Sequence, residues 1–500
     1  MRLPKSAYNW TSFLGASIAI IALFLIGFFF AVSILFDQGS SYVGLVIYIV
    51  LPLFLILGLV LIPIGMLIKI KKERKTDNSN NEKWPQINLN DRQHRNAFII
   101  FAITTTLFLF LSSVGSYEAF HYTESNQFCG TLCHSVMEPE YTTYQNSAHA
   151  RVACVECHVG PGADWYVRSK LSGLYQVYSV LMDKYPRPIA TPIHNLRPAR
   201  ETCEKCHWPE KFYTQRIKNE KHFLADENNT EWNIQLLMKT GGEHQTQKLS
   251  EGIHWHINPK VKIEYYTPDE SEQFIPWVKY TNTNTGQEFI YTDEEFPPDS
   301  TLLQKGKYHL MDCMDCHNRP SHGFLSPPDF IDHAIAAGRI PQNLKHVKFA
   351  AMEALKDAYS SKDSANFNIE KIISNYYVLN HPRIAETHNI QIRQSIEAIQ
   401  KSYHIHNFPH MNVRWDVYPD HRGHMESEGC FRCHNDRHKT AEGRVISKDC
   451  RLCHDITAQG IPGNMQLALP GESLEFEHPV DIGTDWKEYS CVDCHAYLYP

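Results

Sequence analysis

The stretch from Phe128 to His158 sets the terms for the rest of the chain. It ends in Cys154-Val-Glu-Cys157-His158, and ahead of that stands the same device with one extra residue between the thiols: Cys129, Cys133 and His134. Five more copies follow, at Cys203/Cys206/His207, Cys313/Cys316/His317, Cys430/Cys433/His434, Cys450/Cys453/His454 and Cys491/Cys494/His495. The chain has 14 Cys, and these motifs use every one.

Three chemistries use paired cysteines. An even count outside the cytosol suggests disulfides, and Cys-x-x-Cys knuckles suggest structural zinc. Neither requires a His directly after every second Cys. Covalent haem does: two thiols add to the porphyrin vinyl groups and the adjacent imidazole reaches the iron. The motifs therefore predict one haem c group each, with His134, His158, His207, His317, His434, His454 and His495 as proximal ligands. The chain has 28 His, enough to fill the sixth positions as well.

The first 120 residues read as a membrane anchor. Apolar runs lie near 12–36, 42–70 and 97–115, each about as long as the ~20 residues that cross a bilayer as helix. The first has a long apolar core and no small-residue cleavage site after it, so it reads as retained rather than as a signal peptide. Asp37 to Ser41 links the first two runs, and Asp77 to Lys83 reads as a flexible loop. Arg2 and Lys5 precede the first run; Lys69, Lys71, Lys72, Arg74 and Lys75 close the second. The positive-inside rule puts both basic stretches in the cytoplasm. The third run then returns the chain to the outer face of a bacterial inner membrane, so residues 121–500 are expected in the periplasm, where haem is attached. A net charge of −7 makes no case for nucleic acid.

Beyond the second motif, Asp164 to Asp183 reads as an amphipathic helix, with Tyr166, Leu171, Leu174, Val177 and Leu181 at helical spacing and Pro186 and Pro188 after it. Trp208 to Tyr308 has no Cys and reads partly as strands: Val261–Tyr266, Phe274–Tyr280 and Phe289–Tyr291. It holds no Walker or Rossmann glycine motif and no Ser/His/Asp set, so it reads as a structural cover for haems. Pro328 to Tyr403 reads as helices, for example Phe349–Tyr359 and Ile390–Tyr403. Where haems supply the apolar core, as over the last three motifs, little regular structure is expected. The expected fold is a mainly α membrane anchor of three transmembrane helices plus an irregular multihaem domain with a small β-rich insertion. Its expected parts are the anchor (1–120), haems one to three (121–207), the insertion (208–308), the fourth-haem segment (309–325), a helical segment (326–415) and a three-haem domain (416–500).

A membrane-anchored chain whose first motif is soon followed by Met137, and whose second is preceded by His149, resembles the NapC/NirT/NrfH quinol dehydrogenases. The fourth motif sharpens the likeness: Cys316-His317-Asn-Arg-Pro-Ser-His322 carries a second His five positions on, as the family's last motif does. Residues 95–207 and 308–325 carry the resemblance. The chain departs from the family in its three apolar runs, its longer first motif, its insertion and its three extra motifs; the whole pattern is similar to heptahaem inner-membrane cytochromes of metal-reducing bacteria.

The resemblance implies sixth ligands at Met137, His149 and His322, and at His194 ahead of the third motif. His424 and His438 bracket the fifth motif and His478 precedes the seventh, which completes one sixth ligand per iron. His254 and His256 rival His194, and His309, His404, His406, His410 and His421 compete more weakly; Met137 also reads as a core residue, since thioethers fill gaps readily. The family's quinol pocket, carried over, falls on Lys170 and Gln176, with Glu138 and Glu140 as proton acceptors; Lys170 also reads as an interfacial residue meeting headgroups or a propionate. The implied function is oxidation of membrane quinol, menaquinol above all, with electrons leaving to a periplasmic cytochrome or reductase. The alternatives are a terminal reductase for nitrite or a sulfur oxyanion, with one five-coordinate haem, and an electron-transfer subunit docked to other membrane subunits.

Overall fold

The structure, a computed structural model, describes residues 5–36, 50–76, 88–191, 197–209, 212, 214–241, 252–269, 271–298 and 308–496. The 37–41 link, the 77–83 loop and His194 lie outside these residues. The chain divides into two units, Met1–Ser135 and Val136–Pro500.

In the first unit, helices α1 (Trp10–Phe36), α2 (Leu51–Thr76) and α3 (Arg92–Thr123) occupy the apolar runs. Each contains a span long and apolar enough to cross a bilayer: Trp10–Phe29, Leu51–Glu73 and His94–Thr123. Small residues let α1 and α2 meet backbone to backbone. A Cβ on Gly15 would stand 2.7 Å from the Gly58 carbonyl oxygen, and one on Gly58 only 2.6 Å from the Ala19 nitrogen. Ser12 Oγ donates to the Ile62 carbonyl at 2.9 Å. Between helices in lipid, where tails are as apolar as leucine, close packing and such hydrogen bonds replace the hydrophobic drive. The outward side chains, among them Phe24, Leu53 and Phe101, are left exposed for lipid. After α3 a short helix, Asn126–Thr131, carries Cys129; Ser125 caps it, accepting from the Phe128 amide.

Helix α4 (His134–Gln145) leads into the second unit, where α5 (Ala163–Leu181) follows the second motif. Strands β1 (Arg216–Phe223), β2 (Glu231–Met238), β3 (Val261–Tyr266), β4 (Trp277–Asn282), β5 (Glu288–Asp293) and β6 (Tyr308–Leu310) come next. Strand β4 starts later than the residue types suggest because Pro276 has no N–H to give a ladder. Three more strands, β7 (His438–Lys439), β8 (His454–Ile461) and β9 (Asn464–Leu467), lie in the C-terminal stretch expected to be irregular. The residues of β8 alternate only over Asp455–Gln459, too short a run to mark a strand among the haem motifs. The strand exists because β2, far away in sequence, supplies the ladder, with Asn233 opposite Gly460 and Met238 opposite His454. Two antiparallel sheets result, in the orders β1-β2-β8-β9 and β6-β3-β4-β5-β7. Both join the 208–308 stretch to the C-terminal one.

Four helices, α6 (Pro327–Ala336), α7 (Val347–Leu355), α8 (Lys362–Asn380) and α9 (Asn389–His406), enclose a polypeptide core. Phe330, Ile331, Ile369, Ile373 and Ile399 are fully buried there. The turn between β1 and β2 is pinned to this core: Asn229 Nδ2 donates to the Leu344 carbonyl at 2.8 Å and to the Gln342 carbonyl at 2.9 Å. A second core, Ile263, Tyr265, Ile275 and Val278, lies under the five-stranded sheet.

Candidate functional site

In the third, fourth and fifth motifs the backbone closes a tight helical turn, whereas in the sixth the turn is shorter and His454 already opens β8. The amide after the second Cys donates back to the first: His207 to the Cys203 carbonyl at 2.8 Å, His317 to Cys313 at 2.8 Å and His434 to Cys430 at 3.1 Å. A turn of this kind puts thiols three residues apart on one face with the imidazole beside them, which is the presentation a porphyrin edge needs. Local capping holds the turns open at their starts; Asp312 Oδ1 accepts from the Met314 amide at 2.7 Å.

The thiols of successive motifs are neighbours. Cys157 lies in electrostatic range of Cys206 and Cys203. Cys203 and Cys313 share a hydrogen bond. Cys316 faces Cys430 and Cys433, Cys453 faces Cys430, and Cys491 faces Cys450. The second to seventh motifs thus meet in sequence order.

The histidines are paired more tellingly. An imidazole nitrogen sits about 2 Å from a metal it ligates and about 1 Å from its own ring centre, so two trans ligands of one iron have ring centres about 6 Å apart. Among the described residues six pairs meet that spacing: His158–His322 at 6.3 Å, His149–His207 at 6.1 Å, His254–His317 at 6.4 Å, His256–His434 at 5.9 Å, His424–His454 at 6.4 Å and His478–His495 at 6.2 Å. Every pair joins one motif histidine to one outside the motifs. By contrast His346 and His381 stack at 4.3 Å, too close for an iron between them.

The surroundings suit neutral ligands. In several pairs Nδ1 meets a backbone carbonyl, which leaves Nε2 for a metal: His149 with Pro320 at 3.2 Å, His322 with Glu140 at 3.0 Å, His434 with Ser447 at 2.9 Å and His478 with Val480 at 2.7 Å. Burial pushes His322 and His424 down to about 4, and lowers His158, His317, His434, His454 and His495 as well. A ligating imidazole must be neutral, so haem fits this donor set.

Of the sixth ligands expected from sequence, His149, His322, His424 and His478 stand opposite motif histidines. His438 does not: it is fully buried, and its ring nitrogens meet Ile275 O at 2.7 Å and Asn435 Oδ1 at 2.9 Å. His254 and His256 instead face the fourth and fifth motifs. Their only local signal is a His-x-His spacing in a Cys-free insertion. His421 is engaged by Asp315 O and Ser271 O, and His404 by Asn366.

Met137 lies in the first turn of α4. Lys170 Nζ stands 4.8 Å from the centre of the Tyr166 ring. Gln176 is exposed and, six residues on, lies roughly 120° around the helix from Lys170. Glu140 is half-buried, and its carboxylate accepts from Arg319 at 3.2 Å. Arg319, overlooked in the sequence, stacks 4.0 Å from the Tyr418 ring centre. Glu138 is half-exposed, ion-paired with Lys362 and 3.5 Å from His410 Nε2.

The NapC/NirT cytochrome c family, N-terminal region, matches residues 91–190. The chain is similar to the cytochrome c-type protein ImcH of Geobacter sulfurreducens, 42% identical over 99% of this chain and 97% of that one. It is also similar to the cytochrome c-type protein NrfH of Wolinella succinogenes, 32% identical over 22% of this chain and 63% of the relative. No solved structure matches. Motifs, apolar helices and relatives agree: the chain belongs to the NapC/NirT cytochrome c family and is a membrane-associated multihaem cytochrome with covalently bound haem c.

Proposed function

We propose that the chain carries seven haem c groups, oxidises menaquinol from the inner membrane at the first haem, and passes the electrons through the second to seventh haems to a periplasmic cytochrome or reductase. The carrying observation is the unbroken order of neighbouring thiols from Cys157 to Cys491. Residues 121–207 and 309–325 form the four-haem part in this reading, and 416–500 the extension. The N-terminus lies in the cytoplasm and the haem unit in the periplasm.

The histidine pairs support conduction rather than substrate binding. His322 completes the second haem, His149 the third, His424 the sixth and His478 the seventh. With both axial positions filled, such irons offer no site to nitrite or a sulfur oxyanion. The haems supply one-electron chemistry when bound; the chain positions them and handles protons. The first haem differs. By the resemblance to the family, the thioether of Met137 would hold the iron there.

Helix α5 supports a quinol site. Val167, Leu171, Leu174, Tyr178 and Leu181 form an exposed apolar stripe, the mark of an interfacial helix. Lys170 lies beside this stripe and holds the quinol oxygen. Oxidation releases two electrons and two protons. Glu138, next to Met137, accepts one proton and passes it to His410, 3.5 Å away; the second proton leaves to solvent. Glu140 is committed to Arg319 and takes no part.

Haem assay of purified protein, with electron paramagnetic resonance, tests this reading. It expects seven haems per chain and six bis-histidine low-spin irons, all reduced by a menaquinol analogue. Fewer haems, or irons that ignore the hydroquinone, would overturn it.

A further inference from the structure

The turn Ile253–Ile257 faces two motifs at once. It departs from Gly252, whose φ is 120° and where a Cβ would stand 2.6 Å from the Lys239 carbonyl oxygen. Only glycine fits so close to backbone at that angle. The turn is fastened to the end of β2: the Ile253 amide donates to the Lys239 carbonyl at 2.9 Å and the His254 amide to Thr240 at 3.0 Å. Trp255 stacks on Tyr280 of β4, ring centres 5.4 Å apart and nearly parallel. The turn is thus held between the two sheets.

Its two imidazoles are aimed apart. His254 gives Nδ1 to the Thr240 carbonyl at 2.9 Å and lies parallel to His317. His256 gives Nδ1 to the Ile253 carbonyl at 2.7 Å and stands across from His434. The tautomer is set by these carbonyls, which leaves each Nε2 for iron. Burial lowers both imidazoles, which keeps them neutral.

We infer that this single turn ligates two irons: His254 completes the fourth haem and His256 the fifth. The inference rests on the haem reading above. The fourth haem closes the four-haem part and the fifth opens the C-terminal extension. One His-x-His turn therefore splices the two, and fixes the distance between their irons through two residues of backbone. The neighbouring thiols agree, since Cys316 faces Cys430 and Cys433. The Cys-free insertion then has a definite task, to carry this turn between two sheets.

The test uses full-length protein in detergent, comparing wild type with H254A, H256A, the double variant, and H438A. Haem content and low-spin signals are read. Each single variant should lose one bis-histidine signal, a different one, and gain one high-spin iron; the double variant should lose two, and H438A none. H254M and H256M cover loss of folding: each should stay low-spin and show a thioether–iron charge-transfer band with a raised potential at one haem. The inference is overturned if H256A keeps every signal, if both single variants silence the same haem, or if H438A silences one. Wild-type protein lacking its haems would instead sink the parent reading.

Discussion

At the residue scale, the contrast between His438 and His256 carries the lesson. Both stand near the fifth motif in the folded chain, and only one is near it in sequence. His438 spends its ring on Ile275 and Asn435 inside the protein; His256 spends one nitrogen on its own turn and faces His434 with the other. Removing His438 takes its partner from the Ile275 carbonyl, and a buried acceptor left unpaired costs about 1–3 kcal/mol. H438A should therefore lower the denaturation midpoint while leaving haem spectra unchanged. His406 makes a second case. It stacks on Phe330, accepts from the Leu325 amide at 3.2 Å, and burial pushes it down to about 4. The unfolded imidazole binds its proton near pH 6.5, so between pH 6.5 and 4 the unfolded chain holds more protons than the folded one. Stability then falls as the pH falls through that window, by on the order of 3 kcal/mol at its lower end. H406F should flatten this part of the stability–pH curve, and an unchanged slope would remove His406 as its source.

At the element scale, the helices α6 to α9 differ from the haem segments around them. They have a packed aliphatic core of their own. Ile373 is fully buried in it, and Ile373→Ala should cost about 2–5 kcal/mol. Thermal melts followed by far-ultraviolet dichroism should show the loss while the haem count per chain stays constant. Lys348 and Asp332 form a buried ion pair between α7 and α6; breaking it by K348M strands a carboxylate and should cost about 3–5 kcal/mol. The sheets behave differently. Strand β8 depends on β2, so the C-terminal stretch is ordered only when the insertion is in place.

At the scale of the whole molecule, the proposed entry point and serial chain of irons make a kinetic prediction. M137L acts at the entrance, so a menaquinol analogue should reduce all haems more slowly together, by at least about tenfold. Replacing Cys491 and Cys494 with Ala acts at the far end. That variant should still be reduced by quinol at the wild-type rate but pass electrons poorly to an added soluble acceptor. Stopped-flow spectroscopy separates the two, and selective slowing of only some haems in M137L would break the serial scheme.

The sequence by itself determined the chemistry of attachment and the membrane runs. Cysteine spacing is local, and apolar length is local, so both are written in consecutive residues. It also singled out His149 and His322, because those lie near their motifs in a pattern of known meaning. Which imidazole stands opposite which was decided only by the tertiary structure. A facing pair of imidazoles joins chain segments far apart, as His158 with His322 or His256 with His434, and no local pattern reports a distance of about 6 Å between rings brought together by strand pairing. The same holds for β8 and for the pairing of Glu140 with Arg319: each depends on a partner supplied from elsewhere in the chain.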